Sequence, residues 1–125
     1  MTPLRGARFR FQDLEIWVEA NEVGRKLCLF ADEFEGRKQY RFAEQLRGAA
    51  LSVSNNIAEG SGSTSTKEFQ QFLNYARRSV FENANMLLFF QSISQLNQDN
   101  VNDLLNRLDL LSARILSFSR SLSKD

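Results

Sequence analysis

The sequence predicts an all-α fold, an antiparallel up-down-up-down four-helix bundle, and three observations carry that expectation. Four segments place apolar residues at steps of three and four, the period of one helix face. The connections between them are short, and the longest is made of Gly, Ser and Thr. No segment alternates apolar and polar residues as a half-buried strand would. Helices of about twenty to thirty residues joined by tight turns must run antiparallel to their neighbours. At 125 residues and 42% hydrophobic content, the chain reads as a single domain large enough to bury one core.

Residues 1–10 hold the only proline, Pro3, with Gly6 and the arginines Arg5, Arg8 and Arg10. They show no periodicity and read as a mobile basic arm before a bundle over 11–125. Helix one is expected over about 13–35, with Asp13 as N-cap and a stripe of Leu14, Trp17, Ala20, Gly24, Leu27, Ala31 and Phe34. Helix two, about 39–59, carries Phe42, Leu46, Ala49, Val53 and Ile57 on one face. Gly60 is expected to stop it by adopting a left-handed conformation. Ser65 and Glu68 then form a capping-box pattern for helix three, about 66–95, ahead of Phe69, Phe72, Leu73 and Ala76. Helix four, about 98–122, continues the pattern through Val101, Leu104, Leu105, Leu108, Leu111, Ile115 and Phe118.

Some stripes are wider than a small core requires. Ile16, Val23 and Phe30 recur every seven residues on a second flank of helix one. Phe81 and Leu88 do so on helix three, beside Tyr75 and Phe89. A contiguous apolar remainder predicts a homo-oligomer, with Ile16, Val23, Phe30, Phe81 and Phe89 at its interface.

Composition narrows the chemistry. There is no histidine, which removes the usual general base, the nucleophile pairs that depend on it and the Glu-x-x-His ligands of di-iron bundles. No enzyme activity, cofactor or metal is expected. Glu59 and Glu68 are the pair a helix two–three corner could bring together for a metal, but Glu82 lies about 21 Å beyond Glu68 on one helix. Sixteen basic against fifteen acidic residues give a net charge of +1, without the overall charge of a dedicated duplex-DNA binder. The single cysteine, Cys28, falls on an apolar stripe and reads as a buried thiol in a reducing cytoplasm. The longest large-apolar run, Met86 to Phe90, is far too short for a membrane span, and no signal core follows the N-terminal arginines.

The polar residues of helices two and three stand out. Ser52, Asn55 and Asn56 occupy a helix interior, although Ser and Asn compete with the helix for backbone hydrogen bonds. Glu59 faces the negative end of its helix dipole and calls for a donor: Arg47, Arg77, Arg78 or the opening amides of helix three. One reading is a network of Asn55, Asn56, Glu59 and Ser79 fixing the register of helix two on helix three. The other is a partner-binding surface. For nucleic acid, the candidates are Arg5, Arg8 and Arg10 interleaved with Phe9 and Phe11, then Arg37, Lys38 and Arg41 around Tyr40, then Arg77 and Arg78. Cations with aromatic rings suit single-stranded or looped RNA, and a homo-oligomer would repeat each weak patch.

Phe11-Gln12-Asp13-Leu14 with Trp17 and Ala20, then Gln45 through Gly60 with its Asn55-Asn56-Ile57-Ala58-Glu59-Gly60 centre, then Lys67-Glu68-Phe69 with Phe72, Leu73, Ala76, Ser79 and Glu82, form one pattern. It resembles the four-helix bundle proteins encoded in intervening sequences of bacterial 23S rRNA genes. The likeness spans nearly all of residues 11–122; the Asn-Ile-Ala-Glu-Gly centre is its specific part and helix four its generic part. The resemblance implies a homopentamer and an association with rRNA or a ribonucleoprotein, the latter inferred in the family mainly from gene location. A related bundle, the accessory protein of diversity-generating retroelements, binds a reverse transcriptase and nucleic acid. Here Gly62 is followed by Ser63 where such proteins often carry a basic residue, which weakens a phosphate contact in that loop. The expectation is therefore a cytoplasmic, oligomeric binding or assembly module directed at RNA or a ribonucleoprotein. Its alternative is a protein–protein scaffold or accessory subunit with no nucleic-acid role.

Overall fold

The structure, a computed structural model, describes residues 8–93 and 96–123. Most of the expected arm, including Arg5, lies outside the described residues, as do residues 94–95 and the last two residues. A 3-10 turn over Arg10–Asp13 leads into α1 (Glu15–Gly36), α2 (Tyr40–Ser61), α3 (Thr66–Ile93) and α4 (Gln98–Ser121). Among the described residues there is no strand, and no helix is long and apolar enough to cross a membrane.

The helices pack in cyclic order, α1 on α2, α2 on α3, α3 on α4 and α4 back on α1. Their contacts run in antiparallel register: Asn83 reaches Ala49, Ser79 meets Ser52, and Phe72 lies against Gly60. Phe34, Phe42 and Phe90 form a ring cluster at one end, with centroids 4.8 to 5.9 Å apart. Phe69 and Phe118 close the other end at 5.7 Å. Between them Leu27, Leu46, Ile57, Leu73, Leu87, Leu108, Leu111 and Ile115 are buried. Removing such a side chain from water stabilises the fold by about 1.5–3 kcal/mol.

Ile16, Val23 and Phe30 do not form an outward flank; each is at most 6% exposed and belongs to the chain's own core. The doubled stripe does reflect two neighbours, but they are α2 and α4 of the same chain. Of the expected interface residues, only Phe81 and Phe89 are exposed. Cys28 is half-buried rather than buried.

Two helix ends also differ from expectation. Asp13 does not cap α1: its carboxylate accepts Arg8 Nε and an Arg8 terminal nitrogen at 3.0 and 2.8 Å, and Leu14 takes the N-cap position without a side-chain bond. Gly60 does not stop α2 and has no left-handed φ; it is a buried helical residue one step before the end. Among the described residues, the left-handed one is Lys38, with φ 63°. It sits in a two-bond helix stop, where Gln39 N–H donates to Phe34 O at 2.8 Å and Lys38 N–H to Glu35 O at 2.9 Å. At the start of α3, Glu68 N–H donates to Ser65 Oγ at 3.1 Å, one half of the expected capping box. Asn97 Oδ1 caps α4 by accepting Asn100 N–H at 2.9 Å.

Candidate functional site

The polar residues singled out in the sequence divide into a buried seam and an exposed face where α2 crosses α3. Ser52 and Ser79 share a hydrogen bond of 2.8 Å between their hydroxyls. Asn56 Nδ2 donates to Ser52 O at 2.8 Å and to Ser52 Oγ at 3.2 Å, so Asn56, Ser52 and Ser79 form a connected strap. One turn further along α3, Asn83 Nδ2 donates to Ala49 O at 2.9 Å and Ser79 O at 2.7 Å. Asn83 is fully buried, and its Oδ1 has no hydrogen-bond partner.

Asn83 was missed by sequence reasoning, although its signal is present. It interrupts the series Ala76, Val80, Leu87 and Phe90 at a position that should be apolar. A polar group at such a position must find partners or forfeit its hydration. It finds two backbone carbonyls, one of them on the neighbouring helix.

Asn55 and Glu59 stand outside this network, and both are exposed. Arg47, expected as a donor for Glu59, turns the other way and ties α2 to α1, with a terminal nitrogen 2.6 Å from Asp32 Oδ1 and 3.0 Å from Glu35 Oε2. These bonds, Glu35's first and then Asp32's, raise the pKa of the already basic guanidinium. A second, more buried tie was not anticipated: Arg107 of α4 bonds Glu19 of α1 at 3.0 Å and lies 3.5 Å from Glu22. Burial is the largest influence on Arg107 and favours the neutral form, but Glu19 and Glu22 together outweigh it and raise the pKa.

With Gly60 against Phe72, Glu59 lies level with Leu73, about nine residues and roughly 13 Å from Glu82 along α3. Glu68 lies in the first turn of α3, so the three carboxylates do not converge. Among the described residues, no three metal-ligating side chains cluster. What the seam does present is a surface. Helical spacing puts Gln45, Asn55 and Glu59 on the outer side of α2, and on α3 Tyr75, Arg78, Ser79 and Glu82 line an open groove.

The candidate cations scatter. Arg8 is bound to Asp13, Arg10 lies over the Phe69 ring at 5.1 Å, and Arg77 lies over the Phe81 ring at 5.1 Å. Phe11 packs on Trp17 at 5.1 Å. Arg37, Lys38 and Arg41 cluster at the α1–α2 turn, where Tyr40 is 60% exposed. An exposed ring among three cations can stack on an unpaired base while the cations meet phosphate.

A model of the 23S rRNA-intervening sequence protein family matches residues 12–117, from the turn before α1 into the last part of α4. No curated protein matches the chain.

Proposed function

The chain belongs to the 23S rRNA-intervening sequence protein family, and on that premise we propose that it is a non-enzymatic binding and assembly module, a cytoplasmic homopentameric ring that associates with RNA or a ribonucleoprotein. The observation that carries the RNA reading is the exposed Tyr40 among Arg37, Lys38 and Arg41. One such patch is weak. Repeated around a ring it gains avidity without any new contact. Self-assembly is supported by Phe81 and Phe89 on α3, large rings that the described residues leave about half exposed.

Binding of single-stranded and hairpin RNA in a mobility-shift assay tests the reading. Retention at about 50 mM salt, weakening steeply as salt rises, is the expected result. Charge reversal at Lys38 and Arg41 should abolish it. No shift at the low salt concentration overturns the RNA reading, and a monomer in sedimentation at micromolar concentration overturns the ring.

A second reading has its own observation. The side chains of Asn55 and Glu59, at the centre of the motif, are exposed and take no part in the strap of Asn56, Ser52 and Ser79. A protein partner docking on this α2–α3 face would make the chain a scaffold or accessory subunit with no nucleic-acid role. In that case charge reversal at Lys38 and Arg41 leaves function intact, while Glu59→Gln keeps the fold and loses the partner.

A further inference from the structure

The C-terminal half of α3 lacks the charged face that a solvent-facing helix normally carries. From Asn83 to Ile93 it has no charged residue, and Leu88, Phe89 and Ile93 are each more than half exposed. Phe81 continues this ridge two turns earlier, with the Arg77 guanidinium over its ring. A second apolar feature lies between α1 and α4, a groove of about 420 Å³ lined by residues that include Lys26, Leu29, Phe30, Glu33, Asp103 and Leu104. Leu29 is 65% exposed at its lip.

The two features stand at one level of the bundle, because the Phe34–Phe90 ring contact sets the C-terminal parts of α1 and α3 side by side across the core. They are on different sides of it, since the neighbours of α3 in the cyclic order are α2 and α4, and it meets α1 only across the core. Their charges are opposite. The ridge is bounded by Arg77, Arg78 and Glu82, and the groove by Lys26, Glu33 and Asp103, so one patch carries a net positive charge and the other a net negative one.

We propose that the occupant of the α1–α4 groove is a second copy of this chain, which inserts its α3 ridge around Phe81, Leu88 and Phe89. This rests on the self-assembly reading above and specifies its contact. A ridge that packs into a different patch makes a head-to-tail interface, and two such patches at one level allow a ring to close by rotation about an axis along the bundle. A ridge packed against its own copy would leave Leu29 and the groove open to water. It would also set Arg77 and Arg78 against like charge.

Leu29→Glu and Leu88→Glu test this, each alone and then mixed in equal amounts, with sedimentation velocity reading the mass. Both positions are exposed, and circular dichroism checks that each variant stays helical. If either glutamate variant loses helicity, the glutamine versions are read in its place. The expected result is that each variant is monomeric at concentrations where the unaltered chain is fully assembled. The mixture should give one-to-one dimers and nothing larger, because only one intact ridge and one intact groove remain to pair. An unaltered chain that assembles alongside a Leu29→Glu variant that assembles equally well overturns this contact and leaves self-assembly standing. Monomeric variants whose mixture stays monomeric at several hundred micromolar also overturn the contact. An unaltered chain that is itself monomeric overturns self-assembly and the contact together.

Discussion

A Cβ placed on Gly60 would stand 2.6 Å from Cβ of Phe72, so α2 meets the side-chain layer of α3 with no room for a methyl group. The Phe69 ring lies 2.9 Å from the same point. This glycine serves close approach, and its helical backbone makes no use of left-handed freedom.

Gly60→Ala should therefore destabilise the fold by about 1–3 kcal/mol, the range for overpacking, although alanine is the better helix former by about 1 kcal/mol. Urea unfolding measures the difference. An unchanged or raised midpoint would mean that the corner relaxes freely and that space is not the constraint.

Asn83 carries a two-part prediction. Asn83→Ala loses both bonds to backbone carbonyls and opens a void, a loss of about 1–3 kcal/mol. Asn83→Leu loses the same bonds and, like alanine, removes the unpartnered Oδ1, but it fills the space, so it should cost less than the alanine variant. Denaturation of the two side by side decides this. Leucine proving the worse of the two would mean that its branched shape overpacks the site by more than the void costs.

Lys38→Gly should raise stability by about 1 kcal/mol, because a left-handed φ of 63° is strained for any residue with a Cβ. The same change removes a cation from the Tyr40 patch. RNA affinity should fall as the melting temperature rises, and the salt slope should shrink by about 0.7 for each subunit engaged. A gain in stability with unaltered RNA binding would take Lys38 out of the interface.

Arg107→Ala should cost about 1–2 kcal/mol, since Arg107 and Glu19 are each only 23% exposed and their bond links α4 to α1. Arg47→Ala should cost less, because Asp32 and Glu35 are more than half exposed and screened by solvent. Added salt should shift the Arg47 comparison more than the Arg107 one, which paired unfolding curves at two ionic strengths would show.

Glu59→Gln should leave the unfolding midpoint unchanged or slightly raised, because the side chain is exposed and a carboxylate opposes the dipole at a helix C-terminus. A clear loss of stability would place Glu59 in a bond the fold needs.

The sequence by itself determined the all-α class, the four helices and their apolar stripes, because a spacing of three and four leaves few other ways to bury those residues. It also carried the motif from Gln45 to Glu82 by which the family is identified. Tertiary structure decided what each stripe meets. Ile16, Val23 and Phe30 look like a spare surface until α4 is seen packing back on α1, since periodicity fixes which residues share a face and not what covers it. The same holds for the motif. Local spacing could not separate Asn56, which straps Ser52 to the seam, from its neighbour Asn55, which faces solvent, because the division depends on where α3 lies. Gly60 shows it most directly: one sequence signal fits both a helix stop and a close approach, and only the distance to Phe72 tells them apart.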